Sequence, residues 1–412
     1  MASNQFPQPT PTPPRESACA LVAGFLGWTL DAFDFFLVVI ALPTIAGDLG
    51  VSKPAIALSL TLTLAFRPVG AFIFGLLADR YGRRIPMMID LVFYSVVEVA
   101  TAFAPNLTTF LILRALFGIG MGGEWGVGTS LVMEKVPARW RGVLSGLLQE
   151  GYAIGYLLAA VAAYFLLGRF GWRPMFLLGG LPALLALFIR VAVKESDVWH
   201  KTKAGSWSQL CRDILANWKI WLYLTLFMAM MNFSSHGTQD MFPTFMKEFR
   251  GLDTQAYAKI VIVMMTGAVI GGIVFGLASD HFGRRAMMIL ALAGALATVP
   301  LWAFSSTLYA ITAGAFLMQF MVQGAWGIVP AHISELSPDR VRGFLPGFAY
   351  QCGNLLAASI AWAQATLAER LSYPYVMAGT AAIVFSGAII AIALGREQHG
   401  ITFGMGTVDP LD

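Results

Sequence analysis

Apolar runs long enough to cross a bilayer recur along the whole chain, and they leave little choice of fold. A spanning helix needs about 20 mostly apolar residues. Twelve runs meet that requirement, at 19–45, 54–78, 85–104, 107–133, 142–167, 173–193, 218–243, 255–279, 286–305, 307–332, 343–368 and 373–395. Of the 412 residues, 57% are hydrophobic and 12% charged, against about 25% charged in soluble domains. Hydrophobicity spread this evenly excludes a soluble domain carrying one anchor. The expectation is an all-α membrane protein with twelve transmembrane helices, here segments 1 to 12. The 42 glycines suit helices packed closely in lipid. The net charge of +4 comes from loop Lys and Arg and gives no nucleic-acid signal.

The longest polar stretch, residues 194–217, separates the sixth run from the seventh. It divides the chain into a six-helix half at 19–193 and another at 218–395. Residues 1–18, polar and Pro-rich, are expected to be a disordered cytoplasmic N-terminus without a cleavable signal peptide, and 396–412 a cytoplasmic tail. With both termini inside, the cytoplasmic loops hold Arg80, Arg83, Arg84, Lys135, Arg139, Arg141, Arg284, Arg285, Arg340 and Arg342. The opposite side holds far fewer cations, as the positive-inside rule requires. The three cysteines show no disulfide or metal-ligand spacing. Neither a metal site nor a cofactor is expected. Asn106-Leu-Thr108 fits a glycosylation sequon and is assigned no role.

The halves repeat. Gly75-Leu-Leu-Ala-Asp79-Arg-Tyr-Gly82-Arg83-Arg84 recurs as Gly276-Leu-Ala-Ser-Asp280-His-Phe-Gly283-Arg284-Arg285. Glu134-x-x-Pro137-x-x-x-Arg141-Gly142 recurs as Glu335-x-x-Pro338-x-x-x-Arg342-Gly343, and Trp125-Gly126 as Trp326-Gly327. All three blocks share an offset of 201 residues (280 minus 79). The same offset carries Asp31 onto Asn232. Two repeated halves around a midplane site are the architecture of many secondary transporters.

The repeated G-x-x-[AS]-D-x-[FY]-G-R-R loop resembles the signature of the major facilitator superfamily, and Arg114-x-x-x-Gly118 looks like a second motif of that family. The resemblance implies the major facilitator fold. Asn232, Ser235, His236, Gln239, Asp240 and Thr244 match N-x-x-[ST]-H-x-x-Q-D-x-x-x-T, a pattern of the lactate/pyruvate permeases within the sialate:proton symporter family. Trp28-Thr-Leu-Asp31-Ala-Phe-Asp34, Gly122-Gly-Glu124-Trp-Gly126 and Gln323-Gly-Ala-Trp-Gly327 are similar to the same group. The resemblance implies proton-coupled symport of a short monocarboxylate such as lactate or pyruvate. The alternative is a larger organic acid, sialate or an aromatic acid. Sialate carriers of the family are expected to be longer in the middle, and the short linker departs from that. The implied partners are a small organic anion, protons and the lipid of a bacterial inner membrane, with the protein monomeric.

Polar groups at membrane depth are functional candidates by default. Asn232, His236 and Gln239 fall at i, i+4 and i+7, one helical face, and Asp240 and Thr244 follow. An extramembrane helix end is the alternative for this stretch. Arg67 lies about 18 Å from Asp79 along segment 2. Its guanidinium fork suits a carboxylate, or it pairs with Asp31 or Asp34. Asp31, Asp34, Glu124 and Asp240, with His236, are the candidates for carrying the coupling proton. Gln149 and Tyr152 in segment 5, with Gln351 and Asn354 in segment 11, occupy related places and could hold a small anion or bond between helices. Arg114 either pairs with an acid or tunes a proton carrier. Asp90 and Glu98 are expected at the periphery. Asp79, Arg83, Glu134, Arg141, Asp280, Arg284, Glu335 and Arg342 read as gating residues. Segment 7 is expected to loosen near Gly237 and Pro243. No nucleophile elbow, metal cluster or nucleotide loop occurs, so an enzyme is not expected. A non-transporting sensor is disfavoured by the short tail.

Overall fold

A computed structural model describes residues 13–252 and 254–404. Residues 1–12 and 405–412, part of the tails assigned above, lie outside the described residues. Segment 1 runs Pro14–Asp48, so residues 14–18 are helical where disorder is expected. Proline suits this first turn, because its missing N–H would have had no partner there.

The segments that follow are Lys53–Tyr81, Arg84–Ala102 and Leu107–Lys135 for 2 to 4. Segment 5 is Arg141–Gln149 continued by Gly151–Phe170, and segment 6 is Arg173–Leu178 continued by Pro182–Ala192. Short helices Asp197–Thr202 and Trp207–Ala216 fill the stretch before segment 7, Trp218–Gln239. Thr254–Phe282, Arg284–Phe304 and Leu308–Leu336 are segments 8 to 10. Segment 11 is Leu345–Ala357 continued by Ile360–Ala368, and segment 12 is Tyr373–Leu394. Among the described residues there is no strand.

Among the described residues, ten helices are long and apolar enough to span alone, and Trp207–Ala216 with Trp218–Gln239 makes an eleventh span bent by 64°. The twelfth, segment 11, is interrupted at Ala358 and Ser359. Segment 7 stops at Gln239, four residues before its expected end. Pro243 has no N–H to donate back to Gln239, so the helix cannot continue in register. A short Phe242–Thr244 helix and a π turn at Phe245–Phe249 follow instead.

Large apolar side chains cover the lateral surface. Leu157 is 60% exposed, Ile383 75% and Val191 88%. Such a belt belongs against hydrocarbon, where helices satisfy their own backbone. The protein is a multi-pass membrane protein.

Packing repeats with the sequence. Segment 2 lies on 4 as 8 lies on 10, while segment 5 crosses onto 8 and 10 as segment 11 crosses onto 2 and 4. Small residues set these distances. A Cβ on Gly126 would fall 2.6 Å from the Gly347 Cα, so segments 4 and 11 meet backbone to backbone. Gly122 packs on the backbone carbonyl of Arg67, which fixes the depth and facing of that arginine. Gly122→Ala should therefore destabilise the protein by about 1–3 kcal/mol, the usual cost of overpacking. Gly168→Ala, with nothing within 4 Å of the new Cβ, should be neutral or slightly stabilising. Thermal unfolding of the two variants in detergent checks the contrast.

Candidate functional site

Two polar layers stand out, one at the arginine-rich face and one at mid-depth. At the arginine-rich face, the starts of segments 5 and 11 present unsatisfied backbone N–H groups and a positive dipole end. Gly343 and Phe344 donate these N–H groups to Asp79, at 2.8 and 3.0 Å. Gly142 and Val143 donate theirs to Asp280, at 2.7 and 3.0 Å. Each carboxylate thus caps a helix of the other six-segment set. Arg83 donates to Asp79 and Glu134 at 2.7 and 3.0 Å, and Arg284 to Asp280 and Glu335 at 2.8 and 3.0 Å. Arg141 reaches Glu335 at 2.8 Å and Arg342 lies 3.8 Å from Glu134. All eight gating candidates join this network, and it seals the face.

Further residues brace the seal. The backbone N–H groups of Arg83 and Arg84 donate to Glu195, and that of Arg285 to Glu397. The guanidiniums of Arg141 and Arg342 both stack on the Phe403 ring, 3.8 and 3.7 Å from its centroid. Arg141 also donates to the Ile401 carbonyl. In the sequence, residues 195, 397 and 403 read only as linker and tail.

At mid-depth, Arg67 is 4% exposed, and its Nε and Nη2 have no hydrogen-bond partner. Its guanidinium lies 5.7 Å from the Tyr350 ring centroid. Among the described residues no ion pair joins it to Asp31 or Asp34. Asp31, Asp34 and Glu124 are buried, with every carboxylate oxygen unpartnered. Asp90 is in the same condition, and the Tyr94 hydroxyl beside this group is also unpartnered. Glu98 is fully buried and pairs with Arg114, which also donates to Thr101 at 3.1 Å. Asp90 and Glu98 are therefore not peripheral. Segment 3 turns them inward, onto segments 1 and 4.

Aromatic rings close the mid-depth layer. Trp125 and Tyr350 have centroids 4.4 Å apart, with Trp326 6.0 Å from Tyr350. Trp28 stacks on Tyr152 at 5.5 Å. The Trp125 indole N–H donates to Gln149 at 3.4 Å. Gln351 is buried with both amide atoms unpartnered.

The segment 7 stretch is more engaged than its sequence suggests. Asn232 donates to the Met228 carbonyl of its own helix at 2.8 Å. His236 bonds Asp240 through Nδ1, at 3.1 Å, and Asn354 through Nε2, at 3.1 Å. Gln239 donates to Gln319 at 2.7 Å. Ser235 is half-buried. The structure brings His236 and Asn354 together. Asp240 stands apart from the buried acids, paired with His236 and 39% exposed at its side chain.

Tyr350 and Glu150 went unread in the sequence, although the repeat points to both. Adding 201 to Gln149 gives Tyr350, and to Glu150 gives Gln351. The matched pairs of the repeat are these, rather than Gln149 and Tyr152 with Gln351 and Asn354.

A polar mid-depth layer inside two matched helix sets fits a transporter rather than an enzyme. A family model described as Major Facilitator Superfamily matches residues 24–273, and one described as Sugar (and other) transporter matches 218–395. The chain belongs to the major facilitator superfamily. It is 29% identical to a Saccharomyces cerevisiae carboxylic acid transporter protein homolog, over 88% of this chain and 62% of that protein. It thus spans less than two thirds of that relative. It is 30% identical to a probable 4-methylmuconolactone transporter of Cupriavidus pinatubonensis, over 92% of this chain and 90% of the other. The niacin transporter NiaP of Acinetobacter baylyi is 28% identical, over 92% and 93%. The fold matches the proton:xylose symporter XylE with a TM-score of 0.75 at 17% identity, covering 94% of this chain and 98% of that one.

Asp79→Asn keeps an acceptor for the segment 11 N–H groups but removes the charge that Arg83 pairs with. Breaking a buried pair costs about 3–5 kcal/mol. Alkylation of a cysteine at Ser145, fully buried beneath the seal, should therefore accelerate roughly tenfold or more in the variant. An unchanged rate would count against the seal.

Proposed function

We propose that this protein is a proton-coupled secondary carrier of a small organic carboxylate, with a short monocarboxylate such as lactate or pyruvate as its substrate. It works by alternating access. Residues 19–193 and 218–395 act as two bodies joined by the linker 194–217, with both termini cytoplasmic and the protein a monomer in a bacterial inner membrane. The observation that carries this reading is Arg67, a buried guanidinium without a carboxylate partner. A substrate carboxylate supplies the missing charge through a bidentate contact.

The roles follow from position. Arg67 binds the carboxylate, with Gln149, Tyr152, Gln351 and Asn354 around it. Asn232, Ser235, His236 and Gln239 form the wall from segment 7. Asp31, Asp34 and Glu124 carry the coupling proton. They are buried in the same set of helices as the Arg67 cation, which is engaged or released as substrate comes and goes. Asp240 acts through His236 at the far end of segment 7. The network around Asp79 and Asp280 is the gate, held closed until the two bodies rock apart.

A second reading, an aromatic or otherwise larger organic acid, is favoured by the rings of Trp28, Trp125, Tyr152, Trp326 and Tyr350 around the site. A flat apolar acid would stack there, and a niacin carrier is among the relatives.

Purified protein in liposomes should take up protons when driven by a gradient of the true substrate. Competition among lactate, pyruvate, acetate, sialate and nicotinate separates the two readings. Arg67→Ala should weaken carboxylate binding by about 2–5 kcal/mol, the cost of removing one partner of a buried charge pair. Binding that survives this change, or ignores pH, would overturn the proposal. His236→Ala and Asp240→Asn should each shift affinity or transport rate. If both variants match the parent in a binding titration and a flux assay, segment 7 has no part in recognition.

A further inference from the structure

Glu150 is a buried acid that the roles above leave unused. It is 5% exposed and sits where segment 5 changes from Arg141–Gln149 to Gly151–Phe170. Its Oε1 lies against Gly272 of segment 8, occupying the space that a Cβ there would need. Segments 5 and 8 belong to different six-segment sets, and they are held together here by backbone contact. A Cβ on Gly276 would lie 2.6 Å from the Gly142 carbonyl, and Gly327 and Gly146 also pack on the Gly272 carbonyl. The carboxyl group is thus wedged into a seam that has to part if the arginine-rich face opens.

No charge balances it. Among the described residues no ion pair joins Glu150 to a charged side chain. Segment 8 offers glycine backbone at this level, and segment 10 offers the Gln323 carbonyl beyond Gly272. Segment 1 brings Thr29 and Phe25 beside the neighbouring Gly151. The titratable groups of the packed elements lie elsewhere. Asp280 and His281 are about 12 Å further along segment 8, and His332 is about 14 Å along segment 10 from Gln323. Asp31 and Asp34 turn toward the first set, Glu124 lines a different space with Trp28 and Gly128, and Tyr152 stacks on Trp28.

The repeat supplies a comparison. The residue 201 positions on is Gln351, the neutral isostere of glutamate, equally buried at 1% exposure. The fold therefore accepts an uncharged amide at this place, and an acid is not needed to form the break.

We propose that Glu150 is a second proton-binding residue of the carrier, one that reads the state of the seam between segments 5 and 8 rather than the substrate. With the seam closed the carboxyl group has little contact with water and no ionic partner, which favours its protonated form. When the seam parts, water reaches the group and it ionises, releasing the proton on the arginine-rich side. By linkage the converse holds, so loss of the proton favours the open seam. This rests on the reading of the protein as a proton-coupled carrier, but its test needs no substrate.

The test is a distance across the seam. Spin labels go at Arg139 and His281, both exposed at the arginine-rich face, with Cys19, Cys211 and Cys352 replaced by serine in a background of unchanged thermal stability. With Glu150 present, raising the pH should move population from the short distance to a longer one. Glu150→Gln should hold the short distance at every pH, and Glu150→Asp should restore the shift. A shift that persists in Glu150→Gln overturns the proposal, as does no shift with Glu150 present. Loss of the shift in both variants also overturns it, since that would mark a packing role. Failure of substrate-driven proton uptake in liposomes would instead remove the carrier reading, so the two failures are distinguishable.

Discussion

An arginine inside a bilayer has to find a counter-charge, a hydrogen-bond acceptor or a route to water. Arg67 is held away from all three on two of its three nitrogens. Its backbone is pinned by Gly122, whose missing side chain lets segments 2 and 4 touch, and its guanidinium rests over Tyr350. The unpartnered Asp31, Asp34, Asp90 and Glu124 lie in the same set of helices without reaching it. A protein built only for stability would close those contacts or replace the groups with apolar residues of similar volume. The unmet electrostatics at mid-depth are therefore the feature that packing and stability alone do not account for.

The internal repeat separates what the fold needs from what the chemistry needs. At the arginine-rich face the charges are duplicated: Asp79 and Asp280, Arg83 and Arg284, Glu134 and Glu335, Arg141 and Arg342. These residues cap helices and cross-link the two sets, work that both copies require. At mid-depth the duplication fails. Arg67, Asp90, Arg114 and Glu124 correspond to Ala268, Ala291, Ala315 and Ala325. The same helix packing is achieved with a methyl group in each place, so those charges are not structural necessities of the fold.

Much of this was legible in the sequence, for physical reasons. Apolar length fixes the number of spans, and the fixed offset of 201 reveals two copies, because lipid and repeated packing both act through residue type and spacing. The charges of the arginine-rich face were readable because they are doubled. The ends and breaks of helices were harder. Segment 7 stops at Gln239 because a proline four residues on cannot donate, a local effect that average hydrophobicity hides. The inward turn of Asp90 and Glu98 depends on how segment 3 rotates against its neighbours, and a single sequence does not state a rotation. Tyr350 and Glu150 were recoverable by applying the repeat residue by residue, since their partners Gln149 and Gln351 were already candidates.

The ring of Phe403 beneath Arg141 and Arg342 has a consequence for biosynthesis. A chain emerges from its N-terminus first, and its parts fold in that order. The start of segment 5 takes its cap from Asp280, 138 positions downstream of Gly142, and Arg141 donates to a carbonyl 260 positions further on. While the first six segments stand alone in the membrane, those groups have only water and lipid headgroups as partners. The nascent first set is thereby left without those contacts at its arginine-rich face until Asp280 and then Ile401 and Phe403 have been made.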